Sequence, residues 1–352
     1  MDIAAQYLPS NELADIVEAS RLHFIEKKPQ REISKRLRKS QSTISRLLIR
    51  AQDLGIVSYR IESPIDIALA EDIRKAYFDM ALPMQRVSVV LDSQSDPKNK
   101  INVGCAAGDM FLSILKETKK STIRITMSCG STLWELIRHV RDCVRTDPAL
   151  VKSLKKKHIE LFPTTLYADH SIREEYPHTL VTALATGLRE SLQNIATIEA
   201  HAPTLPTNFF SNDLTPNDRT DFIKKYKLSE VTKKASEADI ILVGIGVTDD
   251  EQYQKLSQSF VRESRPQGNK PEIAYIPVDT DGEGDSIVSK TVVGLSVKQL
   301  RDISKDSKRT VLAFGGGKKK RGVINPLLKH PCFNNLVVDV GVAEAFLQSL
   351  RA

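Results

Sequence analysis

The chain has 352 residues, of which 41% are hydrophobic and 27% charged, an ordinary globular composition on a length that points to two domains. No run of about 18 apolar residues occurs, and the opening Met1-Asp2-Ile3-Ala4-Ala5 lacks the basic-then-apolar order of a secretory signal. No membrane span and a cytoplasmic location are therefore expected, and the net charge of +7 favours an anionic partner such as nucleic acid.

Leu13, Ile16, Val17, Ser20 and Phe24 recur at helical spacing, which predicts an amphipathic helix over about Glu12 to Glu26, stopped by Lys27-Lys28-Pro29. Gln30 opens a second short helix burying Ile33 and Leu37, and Arg38-Lys39-Ser40 breaks it. Ser40 is a good N-cap for a third helix, in which Ile44, Leu47, Leu48 and Ala51 occupy inward positions. Ser42, Ser45, Arg46, Ile49 and Arg50 are then turned outward, and Gln41, Ser42 and Thr43 fill the first turn. Short polar side chains and arginine on such a face reach base edges and phosphates in a major groove. Between Lys27 and Arg50 nine lysines and arginines face the single acid Glu32. A charge run can be a mere solvated face, and a three-helix bundle can serve protein contacts instead. After Gly55, Ile56 to Ile61 alternates as a short strand, a candidate wing.

The string Glu32-Ile33-Ser34-Lys35-Arg36-Leu37, followed by Ser40-Gln41-Ser42-Thr43-Ile44-Ser45-Arg46-Leu47-Leu48 and Ala51-Gln52-Asp53-Leu54-Gly55-Ile56-Val57, resembles the helix-turn-helix reader of SorC-type bacterial regulators. The resemblance implies a DNA-binding domain over residues 1–62. Its contacts with double-stranded operator DNA would come from Gln30, Ser40, Gln41, Ser42, Thr43, Ser45, Arg46 and Arg50.

Past Pro64 the pattern changes. Ile65, Leu69, Ile73 and Ala76 keep helical intervals, as a linker and dimer contact or as a helix packed on a sheet. Val87–Leu91, Ile123–Met127, Ile240–Val243, Thr310–Phe314 and Leu336–Val338 are apolar strand-like runs. Amphipathic stretches such as Leu133, Leu136, Ile137, Val140 and Val144 lie between them, so an α/β domain with a largely parallel sheet is expected over residues 63–352. In such sheets ligands gather at the carboxyl ends of the strands.

Gly130-Ser131-Thr132 stands between a strand and a helix, where it either cradles a phosphate or supplies a turn and a cap. Gly244-Ile245-Gly246 follows another strand, but Asp249 occupies the third glycine of a dinucleotide fingerprint. Gly315-Gly316-Gly317-Lys318 is followed by Lys319 where a P-loop needs serine or threonine, so no nucleotide cofactor is expected. The four cysteines, Cys105, Cys129, Cys143 and Cys332, form no Cys-x-x-Cys pair. His139 and Cys143 stand four apart and would share a helical face, yet two ligands make no site and no partner pair is visible, so no metal is expected.

The order Gly130-Ser131-Thr132-Leu133, Gly244-Ile245-Gly246, Gly294-Leu295-Ser296, Gly316-Gly317 with Lys320, and Asp339 before Ala343 resembles the SorC effector domain. That domain is related in fold to phosphosugar isomerases and CoA transferases. The resemblance implies a sugar, polyol or sugar-phosphate effector held by Gly130, Ser131, Thr132, Gly246, Glu272 and Lys320, and an oligomer, dimer or tetramer, that pairs the readers on DNA. Pro271-Glu272 replaces the family's Gly-Asp, Pro163-Thr164-Thr165 replaces a glycine-rich turn, and Val340 stands where the family often has Glu. Pro326 suggests that the helix after Lys320 begins late, with Asn325 as its cap. The alternative function is an isomerase-like enzyme with an appended reader, for which Glu272 and Asp339 would be the acid/base pair. The regulator, with no catalytic residues, is the expectation.

Overall fold

The computed structural model describes residues 10–54, 56–57, 64–92, 95–166, 176–203, 205, 209, 215–249, 253, 268–285 and 293–351. The chain divides into two compact units, Met1–Ile61 and Glu62–Ala352. The opening five residues, Gly55, most of the expected wing (Ser58 to Ile61) and the expected boundary at residues 62 and 63 lie outside the described residues.

In the first unit, α1 (Ser10–Ser20) runs into a π-helical turn at Arg21–Ile25, and α2 (Gln30–Leu37) and α3 (Gln41–Asp53) follow. Arg38, at φ 53°, ends α2 in the left-handed region. Ser40 then starts α3, its Oγ accepting the Thr43 N–H at 3.1 Å. Ile44, Leu47, Leu48 and Ala51 are buried as their spacing requires, and they meet Ile33 from α2. The buried face of α1 differs from the expected one. Ile16, Ala19 and Leu22 are fully buried, whereas Val17 is 46% exposed and Leu13 and Phe24 are only half-buried. The wider turn, in which Glu26 N–H donates to Arg21 O, changes the angular step that a uniform 3.6-residue period assumes.

In the second unit the helices are α4 (Ile67–Asp79), α5 (Asp96–Glu117), α6 (Ser131–Thr146), α7 (Pro148–Ser153), α8 (Pro177–Ser191), α9 (Pro216–Lys225), α10 (Leu228–Ser236), α11 (Val297–Ser304), α12 (Asn325–Lys329) and α13 (Val340–Arg351). The main strands are β1 (Arg86–Val90), β2 (Thr122–Met127), β3 (His158–Pro163), β5 (Thr197–Ala200), β6 (Ile240–Val247), β10 (Thr310–Gly315) and β11 (Asn335–Asp339). They form a parallel sheet in the order β1-β11-β10-β6-β2-β3-β5. A small hairpin of β7 (Pro271–Ile273) and β8 (Ile276–Pro277) extends β6 antiparallel, while β4 (Thr165–Leu166) pairs with β9 (Val293–Gly294).

Both faces of the sheet are covered, which is why its strands read as continuous apolar runs rather than alternating ones. On one face α5, α6 and α8 pack around Phe111, Leu136, Val140 and Leu184. On the other, α4, α11, α12 and α13 pack around Tyr77, Leu300, Leu327 and Phe346. Tyr77 stacks on Phe346 at 5.5 Å and donates its hydroxyl to Leu328 O at 3.0 Å. The expected 65–78 helix thus packs on the sheet through Ile73 and Tyr77, with Ile67 and Phe78 exposed. Ile65 lies before the helix, bridged to Val90.

Two boundaries differ from expectation. Gly244-Ile245-Gly246 lies inside β6 rather than after it, because the β7 hairpin prolongs the pairing: Gly246 stands opposite Glu272. Asn325 is the first residue of α12 rather than its cap, the N-cap being Ile324.

Candidate functional site

Along the chain, β2 leads outward to β3 and β5, while β6 leads the other way to β10 and β11. The strand order therefore reverses between β2 and β6. Parallel strands whose connections depart in opposite directions leave a crevice at their carboxyl ends, the usual ligand position in open α/β sheets.

A cleft lies there, lined by Lys100, Cys129 to Leu133, Gly244 to Gly246, Tyr253, Glu272, Ala274, Tyr275 and Lys320. All six residues expected from the sequence, Gly130, Ser131, Thr132, Gly246, Glu272 and Lys320, come together around it. Ser128 ties its floor, donating its N–H to Leu242 O at 2.9 Å and accepting the Gly244 N–H on its Oγ at 3.1 Å.

Gly130 is the N-cap of α6 at φ 122°, a conformation open to glycine, and no side chain caps the helix. This separates the two readings of Gly130-Ser131-Thr132. Ser131 is the first helical residue rather than a cap, and among the described residues neither the Ser131 nor the Thr132 hydroxyl makes an internal hydrogen bond. The amino end of a 16-residue helix, with two hydroxyls, thus faces the cleft.

Glu272 reaches the cleft from β7, buried, with its Oε2 accepting the Tyr275 N–H at 2.7 Å. A Cβ at Gly246 would overlap Glu272 Oε1, so glycine on β6 makes room for the carboxylate. The β7–β8 turn is filled by Ala274 at φ 50° and Tyr275 at φ 64°, where a two-residue hairpin prefers Asn-Gly. Holding two such residues left-handed costs about 1–2 kcal/mol each. The strained pair lines the cleft. Tyr275 stacks with Tyr253 at 5.9 Å, and the buried Tyr253 hydroxyl has no hydrogen-bond partner among the described residues. Burial, then the Glu272 and Asp285 charges, push the Tyr253 pKa up and keep that hydroxyl neutral. Lys320 enters from a short 3-10 turn, Lys318–Lys320, that follows Gly317 at φ 111°. Lys100 of α5 adds a second ammonium group and makes no ion pair among the described residues.

Lys100, Tyr253, Ala274 and Tyr275 were not anticipated. No glycine motif or periodicity marks them. Asp339, nominated with Glu272 as an acid/base pair, is outside the cleft lining. Its Oδ2 accepts the Gly317 N–H at 2.5 Å and its Oδ1 accepts the Val342 N–H at 2.9 Å, so it joins two backbone turns. A carboxylate so engaged is not placed to shuttle a substrate proton.

In the first unit, Gln41, Ser42, Arg46 and Arg50 are exposed, Gln30, Thr43 and Ser45 half-buried, and Ser40 is exposed with its hydroxyl committed to the cap. Ion pairs trim the cationic face. Arg50 pairs with Glu12, Lys39 with Asp15, Arg36 with Glu18 and Glu26, and Lys28 with Glu32. Lys27, Arg31, Lys35, Arg38 and Arg46 have no ion pair among the described residues. A sequence window from Lys27 to Arg50 misses the acids that α1 folds back onto this surface.

Residues 179–348 match the family described as "Putative sugar-binding domain". That span holds Gly244 to Gly246, Tyr253, Glu272 to Tyr275 and Lys320, while Lys100 and Cys129 to Leu133 precede it. A search of curated protein sequences finds no match. Among solved structures, the full-length sorbitol operon regulator SorC from Klebsiella pneumoniae is similar at 17% identity and a TM-score of 0.59, over 96% of this chain and 100% of that one. A transcriptional regulator from Streptococcus pneumoniae aligns at 13% identity and a TM-score of 0.58, over 81% of this chain and 97% of its own. A DeoR family transcriptional regulator from Listeria monocytogenes aligns at 16% and 0.56, over 79% and 99%. Residues 179–348 thus match the sugar-binding domain family model, on a chain that has the fold of the SorC-type transcription regulators.

Proposed function

We propose that this chain is a DNA-binding transcription regulator whose operator occupancy responds to a phosphorylated sugar or polyol bound in the cleft between β2 and β6. The observation that carries the effector assignment is the convergence of an uncapped helix end, two hydroxyls, two lysines and a buried carboxylate on one cleft. Fixed N–H donors and ammonium groups suit a phosphate dianion. Glu272 and the Tyr253 hydroxyl, which has no partner among the described residues, suit sugar hydroxyl groups, which both donate and accept hydrogen bonds.

The reader would place the amino end of α3 in a major groove, with Gln41, Ser42, Thr43, Ser45 and Arg46 toward base edges and phosphates and Gln30 and Ser40 against the backbone. Arg50 would first leave Glu12, a small cost for an exposed pair. Two-fold operators require paired readers, so the working form is an oligomer.

Calorimetric titration with matched phosphorylated and free sugars, alongside operator gel shifts with each ligand, tests this function. The phosphorylated form is expected to bind more tightly and to change operator affinity. Lys320→Ala should lower phosphosugar affinity by about 1.5–3 kcal/mol, the worth of a hydrogen bond to a charged group, and leave the free sugar nearly unaffected. Tighter binding of the free sugar, with Lys320→Ala indifferent, would remove the phosphate assignment.

A further inference from the structure

The helices α5 and α6 approach closely where α5 carries two glycines. A Cβ at Gly104 would stand 2.6 Å from Glu135 Cβ and 2.9 Å from Thr132 O, and one at Gly108 would stand 2.8 Å from the His139 ring. This closeness brings Asp109 of α5 against an i,i+4 pair on α6, His139 with Cys143. His139 Nε2 lies 2.9 Å from Asp109 Oδ1 and 3.4 Å from Cys143 Sγ. One ligand atom from each of the three residues lies within 4.8 Å of the other two. The His139 side chain is only 9% exposed and that of Asp109 26%, so the cluster is largely shielded from water. The partner that His139 and Cys143 lack in the linear sequence is thus supplied by Asp109 of the neighbouring helix.

The geometry points to a zinc-type metal site between α5 and α6, ligated by Asp109, His139 and Cys143, with the fourth position left to water. In tetrahedral zinc sites with Zn–N and Zn–O near 2.0 Å and Zn–S near 2.3 Å, adjacent ligand atoms stand about 3.3–3.8 Å apart. The 3.4 Å sulfur–nitrogen separation already has that value. The 2.9 Å nitrogen–oxygen separation has to open by only about 0.4 Å to reach it. Binding replaces the proton between imidazole and carboxylate and expels the Cys143 thiol proton to solvent, leaving neutral histidine, carboxylate and one thiolate on the ion. The donor set is too soft for magnesium or calcium and suits zinc. An ion there clamps α5 to the helix whose amino end, at Ser131 and Thr132, forms one wall of the cleft. The site does not depend on the effector's identity. A second group, His158, Glu160 and Glu199, also has its ligand atoms close together, but Glu160 is committed to Arg124 at 2.7 Å and the group has no sulfur.

The test uses the full-length protein, reduced, stripped with a chelator and titrated with Co2+. The expected result is one Co2+ per chain, with tetrahedral d–d bands and a thiolate-to-cobalt charge-transfer band, both removed by Zn2+. His139→Ala and Asp109→Asn should abolish tight binding, and Cys143→Ser should remove the charge-transfer band. Glu199→Gln should leave the spectrum unchanged. Zn2+ should raise the thermal midpoint of the wild type and not that of Asp109→Asn, whose circular dichroism in chelator should match that of the stripped wild type. Absence of a charge-transfer band, or a band that survives both His139→Ala and Asp109→Asn, would overturn the site and leave a hydrogen-bonded cluster.

Discussion

The reader and the cleft obtain their chemistry in opposite ways. The outward residues of α3 come from one short stretch, stand in solvent and owe their direction to a single buried row, Ile44, Leu47, Leu48 and Ala51. The cleft draws on segments more than 200 residues apart, from Lys100 to Lys320, and its groups are held by neighbours: Glu272 by Tyr275 N–H, and the floor by Ser128. One consequence is that a surface recognition helix tolerates change at its tips but not in its supporting row. A convergent site is instead sensitive wherever two backbones must approach.

The largest expected effect breaks the supporting row. Ile44→Ala removes a fully buried side chain and should cost about 2–5 kcal/mol, enough to unfold a small unit while the cleft still binds ligand. Calorimetry should show loss of one transition only; loss of ligand binding as well would mean that the two regions are not separable. Gly246→Ala forces Glu272 aside and should cost about 1–3 kcal/mol of effector affinity, as overpacked sites do. Its circular dichroism should stay unchanged, and an unchanged titration would deny the Gly246–Glu272 approach any role.

Arg46→Ala deletes no core volume and should weaken operator binding by about 1–3 kcal/mol with the melting profile intact. A gel shift identical to wild type would take α3 out of the DNA contact. The smallest effect is electrostatic and lies in the Arg124–Glu160 pair of β2 and β3. Burial pushes the Glu160 pKa up, but the Arg124 guanidinium on the adjacent strand outweighs it and holds the carboxyl below its ordinary value of 4.5. A depressed folded-state pKa means that the pair's contribution is complete above about pH 4.5 and is lost as pH falls through the lower folded value. The contribution is on the order of 1 kcal/mol or less for so exposed an arginine. The stability gap between wild type and Arg124→Met, from urea unfolding, should therefore shrink as pH drops below 4.5; a gap that widened would reverse the sign.

What could be read from the sequence follows the range of the interaction. The Ser40 cap, the buried row of α3 and the strand cores are local, so period and residue type reveal them. At Phe24 the buried face was misjudged because a π-helical turn after Ser20 breaks the 3.6-residue period without a proline or glycine to announce it. Ala274 and Tyr275 were missed because the hairpin lacks its usual Asn-Gly mark. Asp339 was offered as a catalytic acid because a motif position does not reveal that both carboxylate oxygens are taken by backbone N–H groups.

By itself the sequence determined the strand character of the runs at β1, β2, β6, β10 and β11, the three-helix order of the first unit, and the glycine-, serine- and lysine-bearing segments that, with Glu272, line the cleft. Only the tertiary structure decided the strand order that reverses between β2 and β6, the acids of α1 that neutralise part of the reader's charge, and the meeting of Asp109 with His139 and Cys143. The physical reason is that hydrophobic periodicity reports which face of an element is buried. Which partner buries it depends on packing between residues far apart in the chain, where no local pattern is imposed.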